Sequence, residues 1–200
     1  MAEQLTLSAF AARLSRGAPK LIQQRLRAHF VKTALKMEAK AKQNASARLR
    51  VRSGLLRRSI QGTVEEVEGN LSVVLKAGGG TSRVRYAAVQ EEGTRILPGG
   101  ALKPKRGRNL AIPTDRALTP SGVSKGGPRR FNNLRFALLG GKKALVDKDS
   151  GEVYFWLVRE VRFKGKKFLR DAFDEVFEIE INKVPSIVER AVTDAILRGV

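Results

Sequence analysis

Apolar residues recur every three or four positions over the first fifty residues, which is the spacing of an amphipathic helix. The pattern predicts a short helix at 6–15, with Thr6 as the candidate N-cap. The sequence Gly-Ala-Pro at 17–19 then predicts a break, because proline disrupts the interior of a helix. A second helix is predicted over 20–49, with alanine at many apolar positions of its second half.

Alternation of apolar and polar residues predicts two antiparallel hairpins farther along the chain. The first joins strands at 59–67 and 71–77 through the sequence EGN, and glycines at 78–80 form a joint after it. The second joins strands at 144–146 and 153–161 through the sequence DKDSG. Both connections contain the residue types that favour turns.

The remaining segments complete an α+β fold. A short helix is predicted from Tyr86 to the glycine at 93, and residues 95–143 are predicted to form an extended basic loop with some order in NLAIPT and RFALLG. The C-terminal segment has helical spacing, which Pro185 is expected to kink or break. The prediction is one domain over 1–200, in which a mostly antiparallel sheet packs against a long N-terminal helix and a long C-terminal helix.

Charge is the strongest compositional signal, since the chain carries a formal net charge of +20. Residues 1–58 hold 14 Lys or Arg and two acids, residues 95–143 hold 12 and one, and residues 168–200 hold four and seven. Such a surplus predicts contact with nucleic acid, a membrane surface or an acidic protein face. The asymmetry also lets the basic front and the acidic tail pair, either within one chain or between copies.

Other classes of protein are disfavoured by composition. The chain has no cysteine, which excludes disulfides, thiol catalysis and cysteine-ligated zinc. No apolar run is long enough to span a membrane, and the N-terminus lacks the layout of a signal peptide. A cytosolic origin fits this composition.

No pattern of catalytic or ligand-binding residues emerges, so the chain is predicted to have no enzyme activity, metal or cofactor. His29, the only histidine, is interpreted as structural because no acid lies three or four residues away. The sequence DKDSGE at 147–152 begins like a calcium loop but has Val158 at the twelfth position, where glutamate is needed, so a hairpin turn is favoured. The glycine clusters do not have P-loop or dinucleotide spacing.

Two basic stretches are the best candidates for contact with DNA or with a partner protein. They are KPKRGRN at 103–109 and KGGPRRFNNLRF at 125–136, and the second includes phenylalanines. Loops of this composition can follow a phosphate backbone, or they can meet an acidic protein surface, and charge alone does not separate the two. No sequence-reading motif accompanies them, so any nucleic-acid contact is expected to be nonspecific. The candidate residues are Lys103, Lys105, Arg106, Arg108, Arg129 and Arg130.

Three segments together resemble the tail-completion, or head–tail joining, proteins of tailed bacteriophages. RVRSGLLRRSI at 50–60 resembles their Arg/Thr-Gly-x-Leu-Arg-x-Ser motif, and YAAVQEEGT at 86–94 resembles their Tyr-Ala-x-x-x-Glu-x-Gly-Thr segment. GKKFLRDAF at 165–173 resembles the Pro-Phe-Leu-x-x-Ala segment that opens the last helix, with lysines where the family often has proline. The residues that carry the resemblance are Arg52, Ser53, Gly54, Leu56, Arg57, Ser59, Tyr86, Ala87, Glu91, Glu92, Gly93, Thr94, Phe168, Leu169 and Ala172.

The resemblance covers about two thirds of the chain, with 95–143 as the main exception. It implies a virion structural protein at the head–tail junction, assembled in the host cytoplasm. The high charge of the chain is similar to that of Z-type minor tail proteins, which have the same assembly role. The implied form is a homo-oligomeric ring, a hexamer being favoured, which contacts head-completion or connector proteins and the tail terminator or tail tube. In such a ring Glu91 and Glu92 would offer an acidic patch to Arg57 and Arg58 of the same or a neighbouring subunit. The alternatives are a tail terminator, another virion role or a nonspecific nucleic-acid-binding protein.

Overall fold

The computed structural model of the chain describes residues 7–49, 54–78, 84 and 86–198, with side chains from residue 18 to residue 197. The predicted α+β architecture is confirmed. The helices are α1 (Leu7–Arg48), α2 (Leu55–Arg58), α3 (Ala87–Glu92), α4 (Phe168–Ile181) and α5 (Val184–Arg198). The strands are β1 (Gln61–Val67), β2 (Asn70–Lys76), β3 (Leu110–Pro113), β4 (Leu134–Leu139), β5 (Lys142–Asp147) and β6 (Val153–Val158).

The chain divides into two compact units, where the sequence predicted a single domain. Unit 1 consists of Met1–Ala45, Leu56–Val84 and Phe168–Val200. Unit 2 consists of Ser46–Leu55 and Arg85–Lys167. The antiparallel strands form two separate sheets, β1 with β2 in unit 1 and a four-stranded sheet in unit 2.

The prediction of a break at 17–19 is wrong, because α1 continues through Pro19. A proline inside a helix removes one backbone hydrogen bond and crowds the preceding turn. The remaining bonds of a helix of 42 residues hold the turns on both sides of this position. The candidate N-cap Thr6 lies outside the described residues.

Helices α4 and α5 run antiparallel to α1 and are tied to it by charge. Lys40 Nζ lies 2.6 Å from Glu175 Oε1, and Arg25 pairs with Asp194. The basic N-terminal helix and the acidic C-terminal helix therefore pair within one chain. The predicted interruption near Pro185 is confirmed, since α4 ends at Ile181 and the proline occupies the first turn of α5, where its missing N–H does no harm.

The face of α1 that enters the core of unit 1 is lined by small residues. Ala34, Ala41 and Ala45 are buried beside Met37, which is fully enclosed. Gly62 of β1 approaches so closely that a Cβ there would lie 2.8 Å from the carbonyl carbon of Ala34. Small side chains therefore set the spacing between α1 and the hairpin.

The β1–β2 hairpin is confirmed in the predicted place. Gln61 pairs with Lys76 and Val67 with Asn70, and the turn residues Glu68 and Gly69 both have positive φ. The Gly62 N–H donates to Glu38 Oε2 at 2.9 Å, which adds a polar tie between the hairpin and α1.

The sheet of unit 2 has the order β3-β6-β5-β4, and every neighbouring pair is antiparallel. The predicted second hairpin is confirmed as β5 and β6. The prediction that 95–143 is an extended loop is wrong, because this segment supplies β3, β4 and several short 3-10 turns. The run NLAIPT becomes β3, which pairs with the distant strand β6, and the run RFALLG becomes β4, which pairs with the adjacent strand β5 across Gly140 and Gly141.

Both outer strands of this sheet expose apolar side chains. Phe136 and Leu138 of β4 are 56% and 62% exposed, and Ile112 of β3 is 38% exposed. Within the described part of unit 2, β4 pairs only with β5, and β3 pairs only with β6. Each outer strand therefore leaves one edge open for pairing.

Glu180 of α4 is the centre of a charged cluster in unit 1. Its side chain is buried, and Oε1 accepts hydrogen bonds from Lys183 Nζ at 2.7 Å and Lys36 Nζ at 2.8 Å. These two bonds, that from Lys183 first, hold the pKa of the Glu180 carboxyl below its ordinary value of 4.5 against the opposing effect of burial. His29 Nε2 lies 3.1 Å from the backbone oxygen of Glu180, so this histidine has a structural position between α1 and α4.

Glu180→Gln is expected to lower the free energy of unfolding by about 1–2 kcal/mol at neutral pH, because the two lysines lose a buried charged acceptor but stay half exposed. A folded-state pKa below the unfolded value means that the stabilisation is complete above pH 4.5 and is lost as the pH falls through the lowered value. Urea unfolding followed by far-UV circular dichroism between pH 7 and strongly acidic pH would measure the difference.

Glu175→Gln is the matched control, since it breaks the exposed pair with Lys40 and is expected to cost about 0.5 kcal/mol or less. If the loss of unfolding free energy in Glu180→Gln were the same at strongly acidic pH as at pH 7, the ion pairs of Glu180 would not be its cause.

Candidate functional site

The positive charge of the chain is concentrated in unit 2. This unit has 22 Lys and Arg against seven Asp and Glu, a net charge of +15 out of the total of +20. Unit 1 carries the remaining +5, because its acidic C-terminal helices offset much of the basic α1. The excess of positive charge therefore lies on the unit that contains the four-stranded sheet.

Three separate segments bring cations to one end of that sheet. The loop 103–109 lies between the Leu102–Val161 bridge and the first residue of β3, which pairs with Val158. Arg159 and Arg162 follow the last residue of β6, and β5 begins beside that same end, since Lys143 pairs with Leu157. We call this surface the basic end; it consists of Lys103, Lys105, Arg106, Arg108, Lys142, Lys143, Arg159 and Arg162, all exposed.

Few of these cations are neutralised. Glu160 is the one carboxylate that the sequence places among them, and it lies 3.0 Å from Arg162 and 3.9 Å from Lys103. The other six form no ion pair with any carboxylate of the described chain. The basic end therefore offers several unpaired charges that are free to meet an anionic partner.

The opposite end of the sheet holds most of the acids of unit 2. Asp115 follows β3, and Asp147, Asp149 and Glu152 surround the β5–β6 turn. The carboxylate of Asp147 accepts the backbone N–H groups of Ser150 and Asp149, and the bond from Ser150 is the main reason that the pKa of Asp147 is lowered. These bonds support the interpretation of DKDSG as a hairpin turn.

Two predicted contact residues do not belong to the basic end. Arg129 and Arg130 lie in a 3-10 turn that precedes Phe131, and the ring of Phe131 packs 5.3 Å from that of Tyr154 near the start of β6. Arg130 donates to the backbone oxygen of Lys125 at 3.1 Å. The predicted basic loop is thus split between the two ends of the sheet, and only Lys103, Lys105, Arg106 and Arg108 come together.

The sequence interpretation missed half of the basic end. Lys142, Lys143, Arg159 and Arg162 were not among the predicted contact residues. Two glycines with positive φ at 140 and 141 connect β4 to β5, and Gly-Gly between two strand-like runs is a hairpin signal. Recognition of that turn would have placed the lysine pair at the end of a strand.

The residues of the first resembling segment fix the chain between α1 and β1. Gly54 has a φ of +67°, which favours glycine, and Leu56 is buried. Ser59 Oγ donates to the Leu56 oxygen at 2.8 Å and accepts from the Gly78 N–H at 3.1 Å. Arg57 is exposed, whereas Arg52 and Ser53 lie outside the described residues.

The predicted helix at 86–92 is confirmed as α3, and its end is held by close backbone approach. Gly93 has a φ of +76°, and a Cβ there would lie 2.6 Å from the Phe163 oxygen. The Thr94 hydroxyl donates to that oxygen at 3.3 Å and accepts from the Phe163 N–H at 3.2 Å. Gly165 faces α3, so the segment after β6 and the end of α3 are in direct backbone contact.

The expectation of a solvated acidic patch at 91–92 is corrected for its first member. Glu91 is only 8% exposed, because it lies one helical turn after buried Ala87, on the same face of the six-residue helix α3. Glu92 pairs with Arg95 one turn later. Tyr86 is 44% exposed. Pairing of these acids with Arg57 or Arg58 stays a prediction.

The third resembling segment opens α4 in the core of unit 1. Phe168 and Ala172 are fully buried, and Leu169 is half-buried. Asn44 Nδ2 of α1 reaches the backbone oxygen of Phe168 at 3.5 Å. The matched residues of all three segments that the structure describes therefore mainly hold the fold, with Arg57, Tyr86 and Glu92 at its surface.

The described residues contain no group of three or more His, Cys, Asp or Glu side chains arranged to hold a metal ion. Along the same residues, no helix combines the length and apolarity that crossing a membrane requires. Comparisons of the chain with models of protein families, with curated proteins and with solved structures return no match. The basic end is thus assigned as the candidate site on geometry and charge.

Gly165→Ala is expected to destabilise unit 2 by about 1–3 kcal/mol, since an added methyl group would overpack its backbone contact with α3. Urea unfolding followed by the fluorescence of Trp156, the single tryptophan, would report on this unit because Trp156 lies on β6. Gly127→Ala is the control, since no atom lies within 4 Å of its would-be Cβ. Equal unfolding midpoints for the two variants would argue against a tight contact at Gly165.

Proposed function

We propose that this chain is a non-enzymatic structural protein of a tailed-phage virion, which completes the tail and joins it to the head as a closed ring. The observation that carries the proposal is the ordered set of three resembling segments, which lie after the first long helix, at α3 and at the start of α4. Gly54, Gly93 and Phe168 occupy positions where the backbone conformation or burial demands their residue type. A shared fold would require such residues.

The open edges of the sheet in unit 2 supply a physical route to a ring. Strands β3 and β4 are the two outer strands of a four-stranded antiparallel sheet, so they run in opposite directions. If β4 of one copy pairs with β3 of the next copy, the sheet continues with its antiparallel alternation unbroken. Such a contact is head-to-tail, and it produces a ring when the rotation between copies closes.

The composition of the two edges favours this pairing between copies. Strand β3 has no charged residue, and β4 has one, Arg135, so no like charges oppose each other across the new ladder. Phe136, Leu138 and Ile112 would lose water-exposed apolar surface on contact. The occupant of each open edge is therefore a second copy of this chain.

The work of such a ring is geometric. It would present one face to head-completion or connector proteins and the other to a tail terminator or tail tube, within the virion. A ring held by backbone pairing keeps its subunits in fixed register, which suits a joint between two assemblies of defined symmetry.

The native mass of nuclease-treated protein at near-physiological salt tests the ring. A discrete oligomer is expected, a hexamer being favoured, and negative-stain electron microscopy should show closed particles. A monomer at every concentration, or chains that grow without closing, would refute the proposal.

Leu138→Lys tests whether β4 forms the contact. A charge on an exposed edge strand opposes pairing with a second sheet, so this variant is expected to be monomeric with unchanged circular dichroism. Asn132→Lys adds the same charge just before the strand and is expected to keep the native mass of the parent. Oligomers of equal mass from both variants would place the contact elsewhere.

A further inference from the structure

We propose that the basic end is a binding site for the phosphate backbone of nucleic acid, formed jointly by the loop 103–109, the start of β5 and the segment after β6. None of these segments alone contributes more than four cations to the basic end, and the topology of the sheet brings them together. The inference concerns a surface of a single chain, so it applies to a monomer and to a ring alike.

The dimensions of the basic end match a nucleic-acid strand. Neighbouring strands of a sheet lie about 4.8 Å apart, so the end of four strands is about 14 Å wide. Successive phosphates of one strand of duplex DNA rise about 3.4 Å along the axis, so this width covers about four of them. At the basic end, Lys142 and Lys143 lie on β5, Arg159 follows the neighbouring strand β6, and the loop 103–109 lies at the β3 side.

The chemistry of the surface favours phosphate over an acidic protein face. Four of its eight cations are lysines, which are depleted at protein–protein interfaces, and it contains no aromatic residue of the kind that forms the centre of such interfaces. Its arginines have the planar donor geometry that pairs with phosphate oxygens. Interfaces with nucleic acid are strongly positive and polar, as this surface is.

The distribution of carboxylates reinforces this preference. Glu160 is the only acid among the residues of the basic end, and it forms ion pairs with Arg162 and Lys103. The other acids of unit 2 lie at the far end of the sheet or in α3. A polyanion is therefore attracted more strongly to the basic end, where Glu160 is the single carboxylate, than to the far end, where four carboxylates lie among the cations.

Fluorescence anisotropy of a labelled random-sequence DNA duplex, measured over a series of salt concentrations, tests the site. Two double variants remove two charges each from different segments, Lys142→Gln with Lys143→Gln and Lys105→Gln with Arg106→Gln. Each is expected to weaken binding about tenfold and to reduce the slope of log K against log salt by about two, because two phosphate contacts are lost.

The matched control is Arg129→Gln with Arg130→Gln, which removes the same charge from the opposite end of the sheet. This variant is expected to change the affinity for the duplex by no more than about twofold, because Arg129 and Arg130 lie outside the basic end and act on the DNA only through screened long-range charge. All substituted residues are exposed, so unchanged native mass and unchanged Trp156 fluorescence would show that folding and any ring are intact.

Equal losses in all three double variants would overturn the proposal, since binding would then follow net charge and not this site. Failure of the parent protein to bind the duplex, together with binding of polyglutamate, would assign the basic end to an acidic protein partner. A labelled single-stranded RNA of the same length would show whether the basic end binds RNA as well as duplex DNA. The Lys142/Lys143 variant and the Lys105/Arg106 variant should weaken RNA binding and DNA binding to a similar degree. Loss of the ring without loss of DNA binding would refute the proposed function alone.

Discussion

The close approach of backbones, made possible by alanine and glycine, is the constraint on which unit 1 depends. Three alanines of α1 are buried where a larger residue would hold the partner elements away, and Gly62 brings β1 against the carbonyl group of Ala34. Apolar burial is then supplied by a few large residues such as Met37, Ile60 and Phe168. The ion pairs between α1 and α4 add direction to this packing, because they are satisfied only when the two helices run antiparallel.

Close backbone approach at glycines also occurs in unit 2, where it joins α3 to the segment after β6. Gly93 and Gly165 let the end of α3 touch the segment that follows β6, and Thr94 seals that contact with two hydrogen bonds. The chain beyond β6 thus becomes fixed, together with the position from which Arg159 and Arg162 project. Gly93 and Thr94 of the second resembling segment therefore contact the same stretch of chain that carries Arg159 and Arg162.

Local pattern predicted α3, the helical character of α1 and of the C-terminal segment, the β1–β2 and β5–β6 hairpins and the interruption at Pro185, since each is set by neighbours in sequence. The fold departed from the sequence interpretation where distant contacts decide the outcome. Pro19 lies within a long helix, NLAIPT becomes β3 by pairing with the distant strand β6, and Glu91 is buried by the packing of α3. RFALLG is a different case, because it forms a local hairpin with β5 across Gly140 and Gly141. The candidate site follows the same rule: charge composition pointed to 103–109, but the register of β5 against β6 decides that Lys143 belongs beside it.

The even number of strands in the sheet has a consequence for any assembly built by continuing it. With four antiparallel strands the outer two run in opposite directions, so each added copy stands the same way up as the last. A sheet with an odd number of strands would turn alternate copies upside down, and their basic ends would then be divided between the two rims. In a ring built this way, parity would place the cations of successive copies on one rim, where a polymer held by several copies at once would be retained far longer than one held by a single copy.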